Sequence, residues 1–157
     1  MNYIFKSKSV RYGVKMFLAI GIFFLILYAL GLGYVAELRY FNLLFVIYFS
    51  NKLAKTNATE PKDKSYIKNL SSVFGANLIN VLLCIGGLLL FNVIFEPEFL
   101  SHVTKGVLIV ETTSVPQVII SLFIEGVAGA AVVSFVLLQY WKNHRATYTP
   151  YKEWESQ

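Results

Sequence analysis

Residues 116–141, PQVIISLFIEGVAGAAVVSFVLLQYW, decide how the rest of the chain is read. The stretch carries a single charge, Glu125, and as a helix at about 1.5 Å per residue it extends about 39 Å, enough to cross a bilayer core of roughly 30 Å. Thr113 or Ser114 can cap that helix, and Pro116 suits its first turn, where a missing N–H costs nothing. Glu125 lies about 12 Å into the span. A carboxylate there costs a few kcal/mol unless it is paired, protonated or wetted. Gly126, Gly129, Ala130 and Ala131 follow it, so this side of the helix is expected to face protein, and other spans must supply the packing surface.

The composition agrees. Of 157 residues 56% are hydrophobic and 15% charged, against about 25% charged in a soluble domain. Mean hydropathy is +0.58. The charges fall in blocks between uncharged apolar runs, as in a polytopic membrane protein, and one domain is expected. The net charge of +5 comes from basic residues at the ends of spans. No basic face with interleaved aromatics offers a groove for nucleic acid. The single cysteine, Cys84, lies mid-span and excludes an internal disulfide.

Upstream of the last span, residues 73–95 form a clear apolar run ended by Glu96-Pro97. Residues 98–115 are a mixed loop, with Pro97 opening a short helix to about Val103 and residues 106–110 on or dipping into the interface. Residues 16–34 carry no charge and follow a basic N-terminal block. A cleaved signal peptide is the rival reading, but signal cores are shorter, about 7–15 residues. Gly31-Leu32-Gly33 reads as a tight turn with a positive φ. Residues 51–68 read as a polar loop broken by Asn57 and Pro61, with an amphipathic lead-in from Ser65. Residues 35–52 are ambiguous. Their apolar core, 43–49, is short, so they either cross with Glu37, Arg39 and Asn42 inside the outer end, or form a re-entrant or interfacial segment.

Charge distribution favours crossing. The N-terminal block holds Lys6, Lys8, Arg11 and Lys15; the 51–68 stretch holds Lys52, Lys55, Lys62, Lys64 and Lys68; the tail holds Lys142, Arg145 and Lys152. Only Arg39 and Lys105 remain. The asymmetry fits an even number of spans with both termini in the cytoplasm. Tyr12, Tyr48, Tyr140 and Trp141 fall near the inner boundary, and Tyr34, Tyr40, Phe95 and Phe99 near the outer one. The expected fold is all-α: an integral-membrane, antiparallel four-helix bundle over residues 1–145. Its spans are about 14–34, 35–52, 72–95 and 116–141, and residues 146–157 form a polar cytoplasmic tail.

Several residues are candidates for function. Arg39 is expected at the outer depth of Glu125, with Asn42 close enough along the chain to join the pair. The set reads either as a tie between helices two and four or as an intramembrane proton or cation site. Gly126, Ala130 and Ser134 recur every four residues, a face of small side chains that Gly129 widens. It serves packing inside the bundle or docking of another subunit or second copy. Asn77, Asn80 and Cys84 share one face of the third span, as interhelical glue or as a polar path. His102 and His144 fall on opposite sides of the membrane, and no metal-ligand spacing occurs. Glu96 and Glu98 flank a proline in a loop with no indicated pocket. There is no phosphate-binding or dinucleotide motif, so neither catalysis nor a cofactor is expected. Tyr148, Tyr151 and Trp154 suit a tail grazing headgroups or a peptide that binds a cytoplasmic partner.

The order of features resembles a known layout. A basic N-terminus leads into span one, and Leu38-Arg39-Tyr40-Phe41-Asn42 opens the second. A lysine-rich loop, a third span bearing Gly75, the outer Phe95-Glu96-Pro97-Glu98-Phe99-Leu100 and a last apolar span follow. Over residues 10–145 this resembles an uncharacterised domain-of-unknown-function family of small four-helix membrane proteins common in Bacteroidota. The resemblance implies four helices in a bacterial inner membrane and supplies no activity. The functional expectation is a non-enzymatic accessory or scaffold subunit, partnered by lipid and by other membrane subunits or itself. The alternative is a small transporter or channel with Glu125 in its pathway.

Overall fold

The computed structural model describes residues 3–33, 35–59, 66–95, 99 and 115–145. These form helix α1 (Tyr3–Ala29), a 3-10 helix (Ala36–Phe41), α2 (Asn42–Thr59), α3 (Tyr66–Ile94) and α4 (Val115–Arg145). The described chain is all-helical. Three stretches, Lys8–Ala29, Tyr66–Ile94 and Pro116–Lys142, are long and apolar enough to cross a membrane. They belong to α1, α3 and α4; α2, whose C-terminal half is polar, is not among them.

Local chemistry sets the ends of α1. Gly31 has φ of 73°, and the Leu32 N–H donates to the Leu27 carbonyl at 2.8 Å while the Gly31 N–H donates to that of Tyr28 at 3.0 Å. This is a Schellman close, which needs a residue that accepts the left-handed region. It stops α1 at Ala29, short of the boundary at 34 drawn from hydropathy.

The second segment differs most from the sequence reading. Instead of one span over 35–52, a 3-10 helix precedes α2, and α2 runs on to Thr59 through the stretch taken as a loop. Ser50, Leu53, Ala54 and Asn57, spaced along one helical face, are all buried. Asn57 does not break the helix. Its amide donates to Asn69 Oδ1 and to Ser72 Oγ, each at 3.1 Å. Those bonds and the burial of Leu53 outweigh a propensity cost below about 0.7 kcal/mol. The same contacts explain why α3 begins at Tyr66 rather than near 72, since Asn69 and Ser72 are inward-facing members of its buried stripe.

Helix α3 packs along all three other helices. Ser9 meets Ser72 at one end of α1 and Phe24 meets Phe91 towards the other, so residue numbers rise together along α1 and α3. They run oppositely along α2 and α3, where Ser50 meets Asn77 and Asn57 meets Asn69. Along α3 and α4, Asn77 meets Ser134 and Val81 faces Gly126. Two contacts depend on glycine. A Cβ on Gly13 would lie 2.8 Å from the Ala76 carbonyl oxygen, and one on Gly126 would lie 2.8 Å from Val81 Cγ1.

The apolar core gathers at the end holding the start of α1 and the finish of α2, with Met16, Leu53, Ala54, Val73, Ala76 and Leu138 all buried. Rings fill the opposite end. Phe91 stands edge-on to Phe24, Tyr28 and Phe99 at centroid distances of 5.1, 5.0 and 5.2 Å. Large apolar side chains also point outward, among them Ile22, Leu90, Val132 and Val136. In the most apolar 18 residues of the three stretches only 17%, 22% and 28% of positions are buried within the chain. Exposed apolar surface on that scale needs lipid or protein against it.

Candidate functional site

The inward faces of α2, α3 and α4 meet in a layer of polar side chains. Asn77 is 1% exposed and lies at its centre. The Ser50 hydroxyl donates to Asn77 Oδ1 at 2.7 Å, and Asn77 Nδ2 donates to Ser134 Oγ at 3.1 Å, so one amide joins three helices. A second group lies nearer the end of the bundle. Ser9 of α1 and Ser72 of α3 share a hydrogen bond at 3.0 Å, and Asn57 of α2 donates into the same pair of residues on α3, Asn69 and Ser72. At the edge, the Trp141 indole N–H donates to Asn51 Oδ1 at 2.7 Å, and Lys55 lies 6.0 Å over the Trp141 ring.

These groups share a physical logic. An amide or hydroxyl inside a low-dielectric bundle costs several kcal/mol if unsatisfied, so each has to find a partner on a neighbouring helix. The serine and asparagine side chains are neutral, and they join helices. Among the described residues, no three His, Cys, Asp or Glu side chains come together.

The candidates from sequence distribute as follows. Asn77 and Asn80 are both buried on the inward face of α3, and the Cys84 thiol, one turn further, donates to Asn80 Oδ1 at 3.6 Å. Asn80 and Cys84 thus satisfy each other along one helix, while Asn77 reaches across. Gly126, Ala130 and Ser134 line the side of α4 that meets α3, with Ala130 and Ser134 buried. Gly129 does not belong to that face, because a Cβ there would meet nothing within 4 Å. Glu125 is half-buried, with Oε2 shielded from solvent. Asn42 opens α2, and its Oδ1 is buried without a hydrogen-bond partner among the described residues. The backbone of Arg39 lies in the 3-10 helix, but its side chain is outside the described residues, as are those of His102 and His144. Glu96, Glu98, the 100–114 loop and the tail with Tyr148, Tyr151 and Trp154 also lie outside them.

The sequence reading does not single out Ser9, Ser50, Asn69 or Ser72, and it takes Asn57 only as a helix breaker. The signal was present in α3, where Asn69, Ser72, Val73, Ala76, Asn77 and Asn80 recur at three- and four-residue steps. Starting that span near 72 cut the stripe in two.

Among the described residues, the basic side chains collect at one end of the fold: Lys8, Arg11 and Lys15 of α1, Lys52 and Lys55 of α2, Lys68 of α3 and Lys142 of α4. The contacts of Ser9 with Ser72, Asn57 with Asn69 and Trp141 with Asn51 bring those helix ends together. An all-helical chain with three bilayer-length apolar helices and a polar interior has the make-up of a helical membrane protein. Comparison with protein families, with curated proteins and with solved structures finds no match.

Proposed function

We propose that this chain is a non-enzymatic accessory or scaffold subunit of a larger assembly in a bacterial inner membrane, or of a small homo-oligomer. In this reading it is an antiparallel four-span bundle with both termini in the cytoplasm. The 3-10 helix and α2 as far as Lys52 make the second crossing together, with a combined length of roughly 28 Å. Gathering of lysine and arginine at one end supports the orientation, since that end takes the cytoplasmic side.

One observation carries the functional part. Polar side chains of the interior bond to one another from helix to helix, through Ser50–Asn77–Ser134 and Ser9–Ser72–Asn57, which supports a role in holding the bundle together. Many large apolar side chains, by contrast, are exposed along α1, α3 and α4. Such a molecule is built to hold its own shape and offer its sides to others. A transporter or channel using Glu125 is the second reading, and it draws on the shielded carboxylate oxygen in α4.

Purification from native membranes in mild detergent, followed by quantitative mass spectrometry, separates the two. The scaffold reading predicts a partner in fixed ratio or a defined self-oligomer. Ion or proton flux by the purified chain alone in vesicles, abolished by Glu125→Gln, would establish the transporter reading instead.

A further inference from the structure

Between α1 and α2 runs an open groove of about 410 Å³, lined by Ala19 and Phe23 on one side and by Phe41, Phe45 and Tyr48 on the other. Its volume is within the range of small-molecule sites, and its walls are almost wholly apolar. Phe23 lies 6.4 Å from Phe41 and 5.5 Å from Phe45 between ring centroids, while Ser9 and Asn57 both meet Ser72, so residue numbers run in opposite directions along α1 and α2. Continued along both helices, that register carries the groove from Phe23 to Ala19 on α1 and from Phe45 to Tyr48 on α2.

One more turn brings Lys15 on α1 and Lys52 on α2 to the same end of the groove, on the faces that line it. Both are exposed. Lys15 holds its ammonium 5.5 Å from the centre of the Tyr12 ring. Helices α1, α2 and α3 contain no Asp or Glu anywhere along their lengths. The mouth of an apolar groove therefore carries two like charges, and neither helix beside it supplies a carboxylate; Glu37 belongs to the 3-10 helix, which joins the groove at the opposite end through Phe41. Tyr48, one turn before Lys52 and exposed, has an apolar ring and a hydroxyl that suit the boundary between acyl chain and headgroup.

We infer that this groove holds one anionic phospholipid from the bilayer leaflet at the basic end, with an acyl chain against Phe23, Phe41 and Phe45 and the phosphate between Lys15 and Lys52. The choice of occupant rests on charge complementarity. A zwitterionic lipid or an apolar protein helix would fill the walls and leave the lysine pair facing no net negative charge. The inference depends on the bilayer location and not on the scaffold role.

The test is native mass spectrometry of the full chain in mild detergent after delipidation. Dipalmitoyl phosphatidylglycerol and dipalmitoyl phosphatidylcholine are added together in equal amounts. Each lysine near a phosphate contributes severalfold, so the wild type should retain the glycerol lipid over the choline lipid by on the order of tenfold. K15Q/K52Q should bring the two lipids to parity with total helix content unchanged. Ala19→Phe, which fills the groove, should lower retention of both. Equal retention by the wild type overturns the inference, as does a preference that persists in K15Q/K52Q. A delipidated wild type that dimerises through this face, with Ala19→Phe blocking the dimer, would assign the groove to a second copy and also overturn it. If Ala19→Phe does not fold, the lysine variants decide alone.

Discussion

Removal of the Asn77 amide should loosen three helices at once. Asn77→Ala deletes the bond accepted from Ser50 at 2.7 Å and the bond donated to Ser134 at 3.1 Å, at a residue 1% exposed. Interhelical hydrogen bonds between membrane helices average about 0.6 kcal/mol each and reach about 1.7. The truncated amide also leaves a hole of roughly 30 Å³, which at about 24 cal/mol per Å³ costs about 0.7 kcal/mol if the helices do not close on it. The expected loss is about 2 kcal/mol, more than a surface change would produce. Reversible unfolding in mixed micelles of mild detergent and dodecyl sulfate measures it. A double-mutant cycle with Ser50→Ala isolates the bond itself, and the coupling should be at least about 0.5 kcal/mol. An unshifted Asn77→Ala midpoint, or additive effects of the two substitutions, would refute the claim that this amide ties the helices.

Three glycine substitutions follow from packing distances. Gly126→Ala should destabilise by about 1–2 kcal/mol because its Cβ would lie 2.8 Å from Val81 Cγ1, and Val81→Ala should restore the loss in part. Gly129→Ala should be neutral or slightly stabilising in the same unfolding assay, since its Cβ meets nothing within 4 Å and alanine is the better helix former. Gly13→Ala should be the worst of the three, because the nearest atom is the backbone oxygen of Ala76, which no rotamer change can move. Thermal melts of the purified variants, ranked together, check the order.

Uniform helices were legible in the sequence and mixed ones were not. Continuous apolar runs placed α4 and the end of α3 to within a few residues, and the Gly31 turn followed from the one residue type that accepts a positive φ without strain. The end of α2 was not legible because hydropathy scores Asn57 and Lys55 as exposed. Burial of Asn57 depends on Asn69 and Ser72, which lie on another helix and can be seen only once the two are packed. The polar layer was half legible. Asn77 and Asn80 stand out inside an apolar run, whereas Ser9 and Ser50 are small polar residues near span ends and carry no signal on their own. The small-residue face of α4 was placed, but periodicity assigned Gly129 to it and the helix rotation does not.

A four-span bundle requires the 3-10 helix and α2 together to cross the bilayer. Single cysteines introduced at Ser7, Lys62, Lys105 and Tyr148, in a Cys84→Ser background, can be labelled with a membrane-impermeant maleimide on right-side-out and inverted membrane vesicles. The prediction is that positions 7, 62 and 148 react only in inverted vesicles and position 105 only in right-side-out ones. Labelling of position 62 from the side opposite to position 7 would mean that the second segment does not traverse the membrane as a single crossing. The four-span bundle would then be wrong.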